Sequence, residues 1–151
     1  MLVRKYMKTH VYSIHATQTI AEAARLFVDK HIGALPVIDQ DNRLLGIVYD
    51  FNLIEIGMPD FTRLLSHFEF LHDLGALEMT NPDAAELHRP VAAIMHPAVT
   101  VDETDSILLA AALLHKNSLN DLPVVDNQNR LVGIVSHVDI STAIMKDWLN
   151  E

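Results

Sequence analysis

The stretch Leu35–Val48, LPVIDQDNRLLGIV, returns as Leu122–Val135, LPVVDNQNRLVGIV, displaced by 87 positions. Extended to Tyr12–Ile56 against Val99–Ala143, the alignment holds 15 identities in 45 gapless pairs, and apolar positions outside the identities mostly stay apolar. A match of this length marks an internal duplication. Neither copy is large enough to bury a generous core alone, so two small units packed together are expected, with any ligand in the cleft between them.

Within each copy the hydrophobic period changes where a β-α-β-β-α order requires it. In the first copy VYSI reads as a short strand, and Thr17 or Thr19 can cap a helix that presents Ile20, Ala23, Ala24 and Phe27 on one face and ends near Gly33. LPVID and RLLGIVY follow as two strands around the polar turn Asp39–Asn42, a hairpin signal. The proline suits the first residue of a strand, where its missing donor does least harm. The second copy repeats the plan with AVTV, a helix from about Asp105 to Lys116, LPVVD, RLVGIVS and a helix from about Asp139 to Leu149. Its first helix, ILLAAALLHK, is more apolar than its counterpart, so more of its circumference is expected to be buried.

Residues 1–57 and 91–151 are thus two repeats, and 58–90 is a helical connecting segment. In that segment Phe61, Leu64, Leu65, Phe68 and Leu71 form one helical stripe, with Phe70 and Leu74 on another side. The second face packs on its own chain or on another subunit. Asn81-Pro82 resembles a helix cap followed by proline at the first helical position.

Of the 151 residues, 50% are apolar, and no apolar run approaches the roughly 18 residues of a membrane span. The opening MLVRKYMKTH carries positive charge with no apolar run after it, so it does not read as a signal peptide, and a cytoplasmic, membrane-free protein is expected. With no cysteine there is no disulfide framework, thiolate catalysis or cysteine-ligated zinc. The net charge of −9 leaves no basic stripe for a nucleic-acid backbone, which disfavours DNA or RNA as partner.

Residues 1–56 are neutral, and the deficit lies beyond them. His67, Glu69, His72 and Asp73 lie close together, but the histidines are five apart, about 140° around a helix, where the common two-ligand spacing is four. No metal is expected. Walker-type loops, GxSxG, HExxH and GxGxxG are absent from the sequence, so it offers no catalytic site.

IMHPAVTVDETDSI leading into an apolar helix, LPVVD and LVGIVSHVDI, with the weaker first-copy counterpart LLGIVYDFNLI, together resemble tandem cystathionine-β-synthase (CBS) domains, the regulatory pairs called Bateman modules. The resemblance covers nearly the whole chain. It implies a mixed α/β (α+β) fold of two β-α-β-β-α repeats related by a pseudo-two-fold axis. It also implies a stand-alone regulatory module, not an enzyme, that binds an adenosine-containing ligand such as AMP, ADP, ATP or S-adenosylmethionine. A homodimer is implied as well, with Ile140, Ile144 and Trp148 of the last helix as a candidate surface, acting on an effector protein that the resemblance does not name.

By the same resemblance the ligand chemistry falls on Ser136 and Asp139: the carboxylate accepts from both ribose hydroxyls, and the strand-to-helix turn offers donors to phosphate. Val99 with Thr100, and Asp121 with Leu122, map to positions that flank the purine. His137 either meets a phosphate when protonated or lies on the surface. Ser136 and Asp139 also fit a helix-capping pair, and capping and binding can coexist. The first copy departs from the pattern, with Tyr49 at the Ser/Thr position and Asn52 at the Asp position. That half-site is expected to be weak, empty or tuned to another ligand. Tyr49 can stack on a base or plug the cleft, and with Phe51 it would fill the clefts of a ligand-free dimerisation scaffold, the alternative reading. Gly46 and Gly133 are read as places of tight strand packing.

Overall fold

The computed structural model describes residues 1–57 and 80–150. The apolar stripes between Phe61 and Leu74 and the His67–Asp73 group lie outside them. In chain order the first repeat contains β1 (Ile14–His15), α1 (Ile20–Lys30), β2 (Ala34–Ile38), β3 (Leu44–Tyr49) and α2 (Asp50–Gly57). A single-turn helix α3 (Ala84–Leu87) precedes the second repeat, which contains β4 (Val101–Asp102), α4 (Ile107–Asn117), β5 (Asp121–Val125), β6 (Leu131–Ser136) and α5 (His137–Leu149). Among the described residues no helix is long and apolar enough to cross a membrane.

The duplication is reproduced bond for bond. Each repeat forms a three-stranded sheet, β1-β2-β3 or β4-β5-β6, with the first pair parallel and the second antiparallel. Ala34 pairs with Tyr49 as Asp121 pairs with Ser136, and the register shifts after Val37 as it does after Val124.

Pro36 and Pro123 are the third residues of their strands, in the middle of each sheet, and do not open them as expected. Their partners show why this is tolerated. Ile47 directs both its N–H and its C=O to His96, each at 2.9 Å, and Ile134 does the same with Lys8 at 2.9 and 2.8 Å. The proline pairs are therefore non-hydrogen-bonded rungs that need no donor.

These same bonds reveal an exchange of segments. The chain before each repeat packs on the other one: Val3 lies in the second repeat's core, and Val91 in the first's. Lys8–Ser13 thus crosses from the edge of β6 into the first sheet, which delays the strand expected at VYSI until Ile14–His15, and that expected at AVTV until Val101–Asp102. The close approach also accounts for the two glycines. A Cβ on Gly46 would lie 2.7 Å from the His96 carbonyl oxygen, and one on Gly133 would lie 2.7 Å from Met7 Sδ. A third cluster, Ile38, Leu44, Val125 and Leu131, joins the repeats at their hairpin ends.

Helix ends are set by caps. Thr19, not Thr17, opens α1 in a reciprocal box with Glu22, and Ser106 caps α4, which starts at Ile107, two residues after the expected Asp105. α1 stops at Lys30 because His31 turns left-handed (φ 54°), a role the sequence reading gave to the neighbourhood of Gly33; Ser118 (φ 53°) does the same for α4. Asp83, whose carboxylate accepts from the Glu86 N–H at 2.8 Å, caps α3 in place of Asn81.

α4 is not the more deeply buried helix. It sinks Ile107, Ala110 and Leu114 while Leu108 and Leu109 stay exposed, because its position repeats that of α1. Ile140 is 2% exposed and belongs to the core, so of the expected dimer surface Trp148, at 73%, is what stands free.

Candidate functional site

Strand β6 ends at Ser136, and the hairpin register holds that residue beside Asp121 at the start of β5. Ser136 then caps α5. Its Oγ accepts from the Asp139 N–H at 3.1 Å and donates to Asp139 Oδ2 at 2.7 Å, while its own N–H donates to Oδ2 at 3.1 Å. Lys8, delivered by the segment exchange, places Nζ 3.5 Å from the same oxygen. Partial burial pushes the Asp139 carboxyl up, but the two bonds from Ser136 and the charge of Lys8 outweigh it and hold the group below the ordinary carboxylate value. Asp139 is thus an anchored anion at neutral pH, with Oδ1 left to accept from a ligand.

The first repeat builds an uncharged copy. Tyr49 N–H donates to Asn52 Oδ1 at 2.8 Å, the bond that matches Ser136 to Asp139, but Asn52 brings no charge, and His96 holds the place that Lys8 holds in the other mouth. Tyr49 is half-buried. Burial, with the negative charge of Asp121 facing it across the repeats, pushes its phenol up.

Two clefts open between the repeats, and they share Gly33, Ala34 and Asp121. The first, about 350 Å³, runs between Tyr49, Asp50, Phe51 and Asn52 on one side and Ser118–Asp121 on the other. The second, about 320 Å³, is lined by Lys8, His10, Tyr12 and His31 together with Asp121 and Ile134. Both reach the lower range of small-molecule sites. A larger groove of about 520 Å³ lies within the second repeat, between α4 and α5.

Against the sequence expectations, the structure brings Ser136, Asp139 and Asp121 to one end of the second sheet, and Tyr49 and Asn52 to the matching end of the first. Asp121, Tyr49 and Asn52 line the inter-repeat clefts. Ser136 and Asp139 line neither of these two volumes. Leu122 is fully buried in the second core, Val99 packs against that core, and Thr100 is half-buried beside it. His137 is exposed, with Nδ1 3.4 Å from the Asn120 carbonyl oxygen, and lines the α4–α5 groove instead.

Lys8, His10, Tyr12 and His31 were missed. The available signal was the VRKYM of Val3–Met7 returning as VAAIM at Val91–Met95, offset by 88 where the rest is offset by 87.

The family model for the CBS domain matches residues 3–58 and 91–146. The chain belongs to the CBS domain family. Among its relatives, a CBS domain-containing protein of Dictyostelium discoideum is 28% identical over 149 residues, covering 97% of this chain and 92% of that protein. A homoserine O-acetyltransferase of Methanocorpusculum labreanum is 28% identical over 141 residues, but this CBS pair spans only 24% of its length. Among solved structures, CBSX2 in complex with AMP superposes with a TM-score of 0.73 at 23% identity, over 97% of this chain and 98% of that one. The CBS domain pair of MJ0100, in complex with 5′-methylthioadenosine and S-adenosyl-L-methionine, gives 0.67 at 23% identity over the same shares. The mixed α+β pair of repeats is therefore the fold of the CBS family.

Proposed function

We propose that this CBS pair is a regulatory module that binds an adenosine-containing ligand, AMP, ADP or ATP, or S-adenosylmethionine, between its repeats and signals by a change in their arrangement. The observation that carries this reading is the Tyr12 cleft, whose walls come from both repeats and whose rim carries Lys8, His10 and His31. Its location in a chain of net charge −9 gives an anionic ligand local donors that the protein as a whole does not offer. A ligand touching both walls favours one relative orientation of the repeats by its difference in affinity for the two, which is the basis of signalling to an effector. Asp139 lies outside the Tyr12 cleft but is paired at 3.5 Å with Lys8 of its lining, and in this reading it is the ribose acceptor for a ligand that extends past Lys8, with Ser136 the hydroxyl nearest the phosphate. The Tyr49/Asn52 mouth is the weaker of the two. The ligands bound in the CBSX2 and MJ0100 structures are of this class and support it.

The module works as a cytoplasmic homodimer in this proposal. Leu108, Val138, Trp148 and Leu149 are 56–73% exposed on α4 and α5, an apolar surface that a second copy would cover. The same surface is what favours the alternative, a ligand-free dimerisation scaffold. Against it, Phe51 is 58% exposed and lines its cleft without filling it.

A thermal-shift panel of AMP, ADP, ATP and S-adenosylmethionine on ligand-free protein tests the proposal. A ligand at 100 times its dissociation constant stabilises by about 2.7 kcal/mol, which raises the melting temperature by several degrees in a chain of this size. A shift with an adenosyl compound is expected, and none with any of them favours the scaffold.

A further inference from the structure

The wall shared by the two clefts contains an acceptor without a donor. Asp121 is half-buried at the first position of β5, opposite Ser136 in the hairpin register, yet among the described residues no group hydrogen-bonds its carboxylate. Lys8, whose charge acts on Asp121, pairs instead with Asp139 at 3.5 Å. The position related by the duplication is Ala34, so the carboxylate is a feature of one repeat and is no requirement of the fold.

Around it the Tyr12 cleft has three kinds of surface. Val11, Ile32 and Ile134 are apolar; Tyr12 offers a ring, with the His10 ring edge-on at 5.0 Å and Lys30 Nζ 5.2 Å from its centroid; Lys8, His10 and His31 are basic. The complement of such a surface is a flat heteroaromatic body carrying an anionic group and at least one N–H donor. An ionised carboxylate accepts hydrogen bonds and donates none, so it pairs with an exocyclic amine and repels a carbonyl oxygen in the same place.

We propose that Asp121 is the residue that selects the ligand, accepting from the exocyclic amine of the base so that the cleft takes 6-aminopurine nucleotides and rejects their 6-oxo counterparts. This rests on the nucleotide-binding reading above and adds to it the residue and the atom that discriminate. Burial pushes the Asp121 carboxyl up; the charges of Lys8 and His137 pull it down, and that of Asp139 pushes it up again. Tyr49 faces it from the first repeat. A carboxylate held at this cost without an internal partner is what a recognition group requires.

The test is calorimetric titration of AMP and of IMP into the full, ligand-free chain at pH 7.5, for wild type, Asp121→Ala, Asp121→Asn and Asp139→Ala, each shown to be folded by its circular dichroism melt. Wild type is expected to prefer AMP by about tenfold or more, the loss that follows when a half-buried carboxylate, dried by the ligand, meets a carbonyl oxygen in place of a donor. Asp121→Ala should weaken AMP and bring the two affinities within about threefold. Asp121→Asn, whose amide can turn its N–H to a carbonyl, should bind IMP more tightly than wild type does. Asp139→Ala should weaken both and keep the preference. An unchanged preference in Asp121→Ala, or IMP bound as tightly as AMP by wild type, overturns the selection and leaves nucleotide binding standing. Folded wild type that binds neither overturns the selection, and if ADP, ATP and S-adenosylmethionine also give no thermal shift it overturns the binding reading as well.

Discussion

Asn42 and Asn129, 87 residues apart, each reach across the pseudo-two-fold axis to the other's repeat: Asn42 Nδ2 donates to the Leu131 carbonyl at 2.9 Å, and Asn129 Nδ2 to the Leu44 carbonyl at 3.0 Å. Their backbone carbonyls complete the exchange, accepting from Leu131 N–H at 2.9 Å and Leu44 N–H at 3.0 Å. Both adopt left-handed backbone, φ 62° and 60°, which asparagine tolerates better than most residues. One residue type thus closes each hairpin and fastens the repeats together.

Replacing either asparagine should therefore have two separable costs. Asn129→Gly keeps the turn and removes the side-chain bond, for a loss of about 0.5–1.5 kcal/mol. Asn129→Ala adds the left-handed strain of about 1–2 kcal/mol. Urea denaturation of both variants, and of the Asn42 pair, measures the difference. Equal stability of the glycine and alanine variants would contradict this account.

The two strand glycines should differ in their tolerance of a methyl group. At Gly46 the obstacle is the His96 backbone carbonyl at 2.7 Å, itself bonded to Ile47. At Gly133 the closest atom is the Met7 thioether, the end of a flexible side chain, with the Lys8 carbonyl further off at 3.0 Å. Gly46→Ala is expected to cost about 1–3 kcal/mol. Gly133→Ala should cost measurably less in the same denaturant titration.

Much of this was legible in advance. The β-α-β-β-α order and the hairpin turn follow from local pattern, because each depends on neighbours within a few residues, and the repeat shows in the direct match of the two copies; the glycines were legible as close-packed positions, but not their distant partners His96 and Met7. The segment exchange was not, since Val3 and Val91 look like ordinary apolar residues until their partners in the opposite core are known. For the same reason Asp139 was visible as a capping and binding candidate while its counter-ion Lys8, 131 positions away in the chain, was not. Caps at His31 and Ser118 escaped because a left-handed residue need not be glycine when its helix end and its neighbours hold it there.

That exchange carries its own prediction. Val3→Ala should destabilise by roughly 1.5 kcal/mol, two buried methyl groups' worth, and should expose amides of the second sheet to hydrogen exchange more than those of the first. Val91→Ala should do the reverse. Protection lost from the mutated residue's own sequence repeat in each case would contradict the crossed packing.

Asp121 and Asp139 should affect stability with opposite signs. The Asp139 carboxyl lies below its ordinary value, so it stabilises at neutral pH and loses that contribution as pH falls through its folded value. Asp139→Ala should destabilise the fold at pH 7 by about 1 kcal/mol, read as a lower melting temperature, because half of the capping box is lost. The Asp121 carboxyl lies above its ordinary value, so its ionisation opposes folding and the penalty disappears as pH falls through its folded value. Asp121→Asn should therefore melt higher than wild type at pH 8, and the gap should close in acid. A lower melting point at pH 8 would mean that the carboxylate has a structural partner after all.

The central claim is that an adenosine nucleotide binds between the repeats, and equilibrium dialysis of radiolabelled AMP against ligand-free wild type and Asp139→Ala tests it most directly. Saturable binding to wild type is expected, weakened about tenfold or more by the substitution, as the loss of hydrogen bonds to a charged acceptor implies. Absence of saturable binding to folded wild type, or identical binding curves for the two proteins, would contradict the account.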